Sequence, residues 1–125
     1  MNLEFSEDQK FVQTTARDFL TANATLQVAR AVFESDASYD ESLWKKVAEM
    51  GWLGTTVPEA YGGTGLGYLE LVLLAQEMGR SLAPIPFASS VYGAIEAILL
   101  CGTEEQKQKW LPLLVSGERI GCVAF

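Results

Sequence analysis

The sequence predicts an all-α protein, an orthogonal bundle of about five or six helices with a strand-like tail at its C-terminal end. Three observations predict it. Apolar residues recur at helical spacing in one segment after another, as in Leu43, Trp44, Val47 and Met50. Two helix-start signatures stand at opposite ends of the chain, Ser6-Glu7-Asp8-Gln9 and Thr103-Glu104-Glu105-Gln106. In each, a hydroxyl residue is followed three positions on by a glutamine, the pattern in which side chain and backbone cap each other. Only the residues from Arg119 to Phe125 change period, and they have no second strand to pair with.

Taken in order, the first helix starts at Ser6 and carries Phe11, Val12, Phe19 and Leu20. Glu7 and Asp8 suit the positive end of its dipole. The weakly patterned stretch 21–25 predicts a break, followed by a short helix through Leu26, Ala29, Arg30 and Phe33. After a polar loop, Asp40 caps the helix of Leu43, Trp44, Val47 and Met50, and Gly51 stops it. Six of the eleven glycines then fall between 51 and 67. Within that loop, 53–57 reads as extended chain ahead of Pro58, and Tyr61-Gly62-Gly63 as a tight turn needing positive φ. The helix from about Gly67 to Ser81 is apolar nearly all round, which predicts a central position. Ala83-Pro84-Ile85-Pro86 breaks it. A second apolar helix runs from about Phe87 to Leu100, and a last one carries Trp110, Leu111, Leu114 and Val115, with Pro112 inside it.

Composition narrows the function. A chain of 125 residues is one domain's worth, long enough for a real core. The net charge of −7 argues against nucleic acid and anionic membranes as partners. There is no histidine, which removes the commonest general base and metal ligand, so no metal is expected. Cys101 and Cys122 lie in unlike apolar contexts and read as two buried free thiols. Met1 to Phe5 lacks the basic start and apolar run of a signal peptide, and no apolar run is long enough to span a bilayer. A soluble, cytoplasmic protein is the expectation.

Candidate chemistry is sparse. The glycine loop lacks the Lys-Ser/Thr of a phosphate-binding loop and reads as architecture. Glu59, Glu70, Glu77 and Glu96 are the candidate carboxylate bases. Burial would raise their pKa, whereas exposure or pairing, as of Glu77 with Arg80, would leave them structural. Ser89 and Ser90 have no base beside them in sequence and are not activated nucleophiles. The small residues at 88, 89, 90, 93 and 94 allow either close helix packing or the wall of a pocket for a bulky apolar ligand.

These segments together resemble the amino-terminal helical domain of the acyl-CoA dehydrogenase family. The resemblance is carried by Phe5-Ser6-Glu7-Asp8-Gln9, by 44–54 (WKKVAEMGWLG) and by 57–67 (VPEAYGGTGLG). It continues through Gln76-Glu77-Met78-Gly79-Arg80, 102–107 (GTEEQK), Trp110-Leu111-Pro112 and Gly117-Glu118. It implies residues 1–118 as that domain and 119–125 as the start of a β domain. It implies an FAD-dependent α,β-desaturation of an acyl-CoA thioester, in fatty acid or steroid side-chain oxidation. The remaining dehydrogenase domains or subunits and an electron-transfer flavoprotein are the implied partners. No catalytic residue can be carried over, since the family's glutamate base lies in a later domain, so the chain alone is expected to be inactive. Phe87, Ser90, Val91 and Ala94 are the implied substrate-binding residues, and Val123, Ala124 and Phe125 the first to approach the flavin. The Ala83-Pro84-Ile85-Pro86 opening resembles members acting on bulky or ring-bearing acyl groups. The competing reading is a stand-alone helical interaction module without catalysis.

Overall fold

The computed structural model describes residues 3–125, so the reading of Met1 and Asn2 lies outside the described residues. Among the described residues there are six α-helices: α1 (Glu7–Asn23), α2 (Leu26–Phe33), α3 (Glu41–Glu49), α4 (Tyr68–Arg80), α5 (Glu96–Cys101) and α6 (Glu104–Val115). A π-helical stretch, Ala88–Ile95, runs directly into α5. The protein is all-α, and among the described residues there is no strand. Among them too, no helix is long and apolar enough to cross a membrane. The chain forms two compact units.

One unit comprises the residues up to Asp40 together with Gly67–Pro84. Helix α1 opens with the expected reciprocal cap. The Gln9 N–H donates to Ser6 Oγ at 3.2 Å, and the Ser6 N–H donates to Gln9 Oε1 at 3.0 Å. The predicted break falls at Ala24, whose φ of −117° and ψ of 61° leave the helical region. Helix α2 has no fully buried residue, and Phe33 is 90% exposed. Helix α4 buries Leu71, Leu73, Leu74 and Met78. It is not buried all round, as its composition suggested, because Tyr68, Leu69 and Val72 are all more than half exposed. Apolar composition sets what a helix can bury; the number of packing partners decides what it does bury.

The polar link of this unit is Glu77. Its side chain is fully buried, and Arg17 Nη2 of α1 lies 2.8 Å from Oε1. Arg80 Nε, one turn along α4, lies 2.6 Å from Oε2. Both guanidinium groups remain about half exposed, so two solvated cations neutralise one buried carboxylate. Gln9 Nε2 of α1 also donates to Glu70 Oε1 of α4 at 3.0 Å.

The other unit comprises Glu41–Leu66 and Ile85–Phe125. Helix α3 buries Leu43, Trp44 and Val47 along one stripe, and the Trp44 indole N–H donates to the Gly117 carbonyl at 3.0 Å. Gly51 ends α3 at φ +77°, where a Cβ would be strained. The next residues are not extended. Trp52–Gly54 forms a 3₁₀ turn, and Thr55 stays helical at φ −54° and ψ −46°. The buried Thr55 hydroxyl donates to the Trp52 carbonyl at 2.7 Å, a local bond that an extended chain would forfeit.

The glycine loop is bonded to itself. The Thr64 N–H donates to the Gly54 carbonyl and the Gly65 N–H to the Val57 carbonyl, both at 2.9 Å. Amides spent this way do not cradle a phosphate. Helix α6 passes through Pro112 and ends at Gly117, φ +77°. The expected strand-like tail is not a strand. With no partner ladder, the Arg119 N–H goes to the Leu113 carbonyl at 3.1 Å and the Gly121 N–H to Ser90 Oγ at 3.3 Å.

Candidate functional site

The richest surface of this second unit surrounds the π-helical stretch. Ala88, Ser89, Ser90, Gly93 and Ala94 give it small side chains, and a π turn is wider than an α turn. Such turns recur at functional sites, which makes this the first place to look. Its two sides differ. Ser90, Val91, Ala94 and Ile95 face inward, all at most 6% exposed, and Phe87 just before them is 3% exposed. Ser89, Tyr92, Gly93 and Glu96 face outward to varying degrees.

Two grooves border it. One, of about 530 Å³, is lined chiefly by Ala94, Ile98, Cys101, Trp110, Ile120 and Cys122. The second, of about 510 Å³, is lined chiefly by Tyr92, Gly93, Glu96, Cys122, Val123 and Phe125. Both are mainly apolar. The polar groups at the second are few. Thr56 Oγ1 donates to Glu96 Oε1 at 2.8 Å, and the Ser89 hydroxyl donates to the Pro86 carbonyl at 3.2 Å. Burial pushes the Tyr92 phenol above its ordinary value. The Tyr92 ring meets the Phe87 ring edge-on, with centroids 5.6 Å apart, which steadies it at the groove wall.

The residues named from sequence divide accordingly. Phe87, Ser90 and Val91 line neither groove. Ser90 is fully buried and its hydroxyl oxygen accepts the Gly121 N–H, so it fastens the tail against the π-helical stretch. Ala94 borders the first groove. Val123 and Phe125 line the second, and Ala124 between them is exposed. Tyr92 was not singled out from the sequence, while Gly93 was named only among the small wall residues and Glu96 only as a candidate base. Their signal was present: 89, 92, 93 and 96 fall on one helical face.

The carboxylates do not form a catalytic base. Glu77 is held below its ordinary value of 4.5, first by the hydrogen bond from Arg17, then Arg80, against the opposing effect of burial. Glu70 is likewise held low, chiefly by the Gln9 amide and also by its own and the Gly67 backbone N–H. A base for carbon acids needs its pKa raised, not lowered. Glu59 is exposed, and Glu96 accepts from Thr56. Among the described residues no three His, Cys, Asp or Glu side chains are grouped to hold a metal ion. The two cysteines are both exposed, not buried. Each sits where a helix or tail borders the first groove, and there apolar sequence neighbours do not guarantee cover.

Fold and grooves define an all-α domain that offers an apolar, small-residue wall. Residues 6–118 match the family domain described as "Acyl-CoA dehydrogenase, N-terminal domain", and the chain belongs to this family. It is similar to mitochondrial isovaleryl-CoA dehydrogenase of Pongo abelii, at 36% identity over 125 residues, covering 96% of this chain and 29% of that protein. Among solved structures it resembles the "Tcur3481-Tcur3483 steroid ACAD G363A variant", with a TM-score of 0.82 and 42% identity. That likeness covers 91% of this chain and 31% of the other. It also resembles an acyl-CoA dehydrogenase of Bacillus anthracis complexed with FAD, with a TM-score of 0.81 and 35% identity, covering 94% of this chain and 20% of that one. The chain thus spans less than a third of the curated relatives it matches first.

Against a flavin, the residues of the tail fit only in part. Val123, Ala124 and Phe125 offer exposed apolar surface and backbone that could meet a ring edge. They bring no cation or glycine-rich helix start for a pyrophosphate. They make a contact, not a complete cofactor site.

Proposed function

We propose that this chain is the amino-terminal helical domain of an FAD-dependent acyl-CoA dehydrogenase, an enzyme that desaturates the α,β bond of an acyl-CoA thioester. The carrying observation is the match of residues 6–118 to the family's N-terminal domain. FAD, held mainly by other domains, would supply the hydride-accepting chemistry. The part assigned to this chain is binding and exclusion of water: the 87–94 stretch forms one wall of the acyl pocket. In that wall Ala94 and the outward residues give surface, while Phe87, Ser90 and Val91 hold the backbone from behind. Val123, Ala124 and Phe125 are the proposed flavin contacts. The partners proposed are the acyl-CoA, the other dehydrogenase domains or subunits and an electron-transfer flavoprotein. Residues 1–118 would be the domain proper, with 119–125 leading into a β domain. The likeness to a steroid dehydrogenase supports a bulky acyl group. An acidic chain with no membrane-spanning helix among its described residues suits the cytoplasm. Nothing observed favours the stand-alone interaction module.

The test uses anaerobic titration of the flavoenzyme carrying this domain with acyl-CoA thioesters. Its flavin absorption band should bleach, and the product should be the thioester less two hydrogens. The 125-residue chain alone should purify colourless. Stoichiometric flavin on that chain, or no bleaching with any acyl-CoA, would overturn the proposal.

A further inference from the structure

Ser90 is one of three buried polar residues among those described, with Thr55 and Glu77. Thr55 bonds locally and Glu77 joins two helices; Ser90 is the one partnered with the tail. Its oxygen accepts the Gly121 N–H at 3.3 Å, across 31 positions of sequence. An alanine would fill the same space without a hydroxyl to desolvate, so the hydrogen bond is what the serine adds. Gly121 itself has no conformational reason to be glycine, since its φ is not positive. Its reason is contact. A Cβ there would overlap that of Ala94 and lie 3.3 Å from Leu114 Cδ2. The tail's backbone is pressed between the π-helical stretch and α6.

The two contacts meet at one point. Positions 90 and 94 both lie on the inward side of the stretch, four residues apart, and both hold Gly121. The hydrogen bond sets the direction of the tail's amide, and the bare Cα sets how near the chain comes. Among the described residues none after Gly121 makes a hydrogen bond, so the course of residues 122–125 starts from this clasp. Val123 and Phe125, just beyond it, line the 510 Å³ groove. We propose that Ser90 is a positioning residue, whose hydroxyl, with Gly121 seated on Ala94, aims Val123, Ala124 and Phe125 at the flavin. This rests on the dehydrogenase reading above, in which those three residues are the flavin contacts.

The experiment uses the flavoenzyme carrying this domain and compares wild type with Ser90→Ala, Ser90→Cys and Gly121→Ala. Thr55→Ala, which removes a buried hydroxyl bonded to the nearby Trp52 carbonyl, is the control. Each apoenzyme is titrated with FAD and its Tm measured. Ser90→Ala should weaken FAD binding about five-fold or more, the loss of one oriented hydrogen bond, and shift the bound flavin's absorption maximum. Ser90→Cys keeps a weaker acceptor of similar size and should fall between; it carries the test if the alanine variant does not fold. Gly121→Ala should weaken binding further, because the tail must leave Ala94. Thr55→Ala should stay within about two-fold of wild type in FAD affinity, whatever its Tm. An unchanged FAD affinity in Ser90→Ala, or equal losses in Ser90→Ala and Thr55→Ala, would overturn the positioning role. The dehydrogenase reading would survive that result if acyl-CoA still bleaches the wild-type flavin. A wild-type flavin reduced by no thioester would instead sink that reading, and the positioning role with it.

Discussion

Gly62 and Gly63 are neighbours, and the backbone asks different things of them. Gly62 has φ +89°, but nothing lies within 4 Å of where its Cβ would be. Gly63 lacks that strain, yet a Cβ there would overlap the Val57 carbonyl. Gly62→Ala should therefore cost about 1 kcal/mol, the ordinary penalty of a left-handed residue. Gly63→Ala should cost roughly 3 kcal/mol, because a backbone carbonyl has nowhere to go. Urea midpoints of the two variants check this, and equal midpoints would contradict it. The need for positive φ was legible in Tyr61-Gly62-Gly63; which glycine bears the steric load was not, because that depends on a carbonyl six residues back. The cysteines teach the same point. Both should react with an aromatic disulfide reagent in the native protein, since both are exposed. A native count of zero thiols would restore the buried reading.

Between elements, the decisive contact is the buried Glu77 carboxylate joining α1 to α4. A helix pair packed through Ala16, Leu20, Leu74 and Met78 would be apolar association alone; the carboxylate adds a defined register. Because Glu77 is held below 4.5 when folded, its contribution is fully present above the ordinary carboxylate value. It is lost as pH falls through the lowered one. Glu70 acts in the same direction. Wild type should thus lose Tm steeply below about pH 4.5. Glu77→Gln should begin about 2 kcal/mol less stable at neutral pH and decline less in acid. Thermal melts across pH decide it, and parallel curves would show that Glu77 contributes nothing to the acid limb. The pairing with Arg80 was visible as an i,i+3 spacing. The Arg17 contact joins positions sixty residues apart in the chain, and no local pattern announces it. Similarly, both capping boxes were legible because they close within four residues. The π-helical character of Ala88–Ile95 was not: small residues permit it, and the surrounding packing selects it.

Across the whole molecule, composition and periodicity determined a great deal by themselves. They set the all-α class, because 3.6-residue periodicity and caps are local properties of the chain. They argued against histidine chemistry in this chain and against nucleic acid or an anionic membrane as a partner, because residue content and a charge of −7 do not depend on the fold. The ordered motifs from Ser6 to Glu118 also carried the family. The tertiary structure decided which side of each element faces open space. It turned Ser90 inward and Gly93 outward on one stretch, exposed Cys101 and Cys122, and left the tail without a ladder. The physical reason is common to all of these. Burial is a relation between segments far apart in sequence, whereas capping, helical period and the φ of a glycine are settled within a few residues.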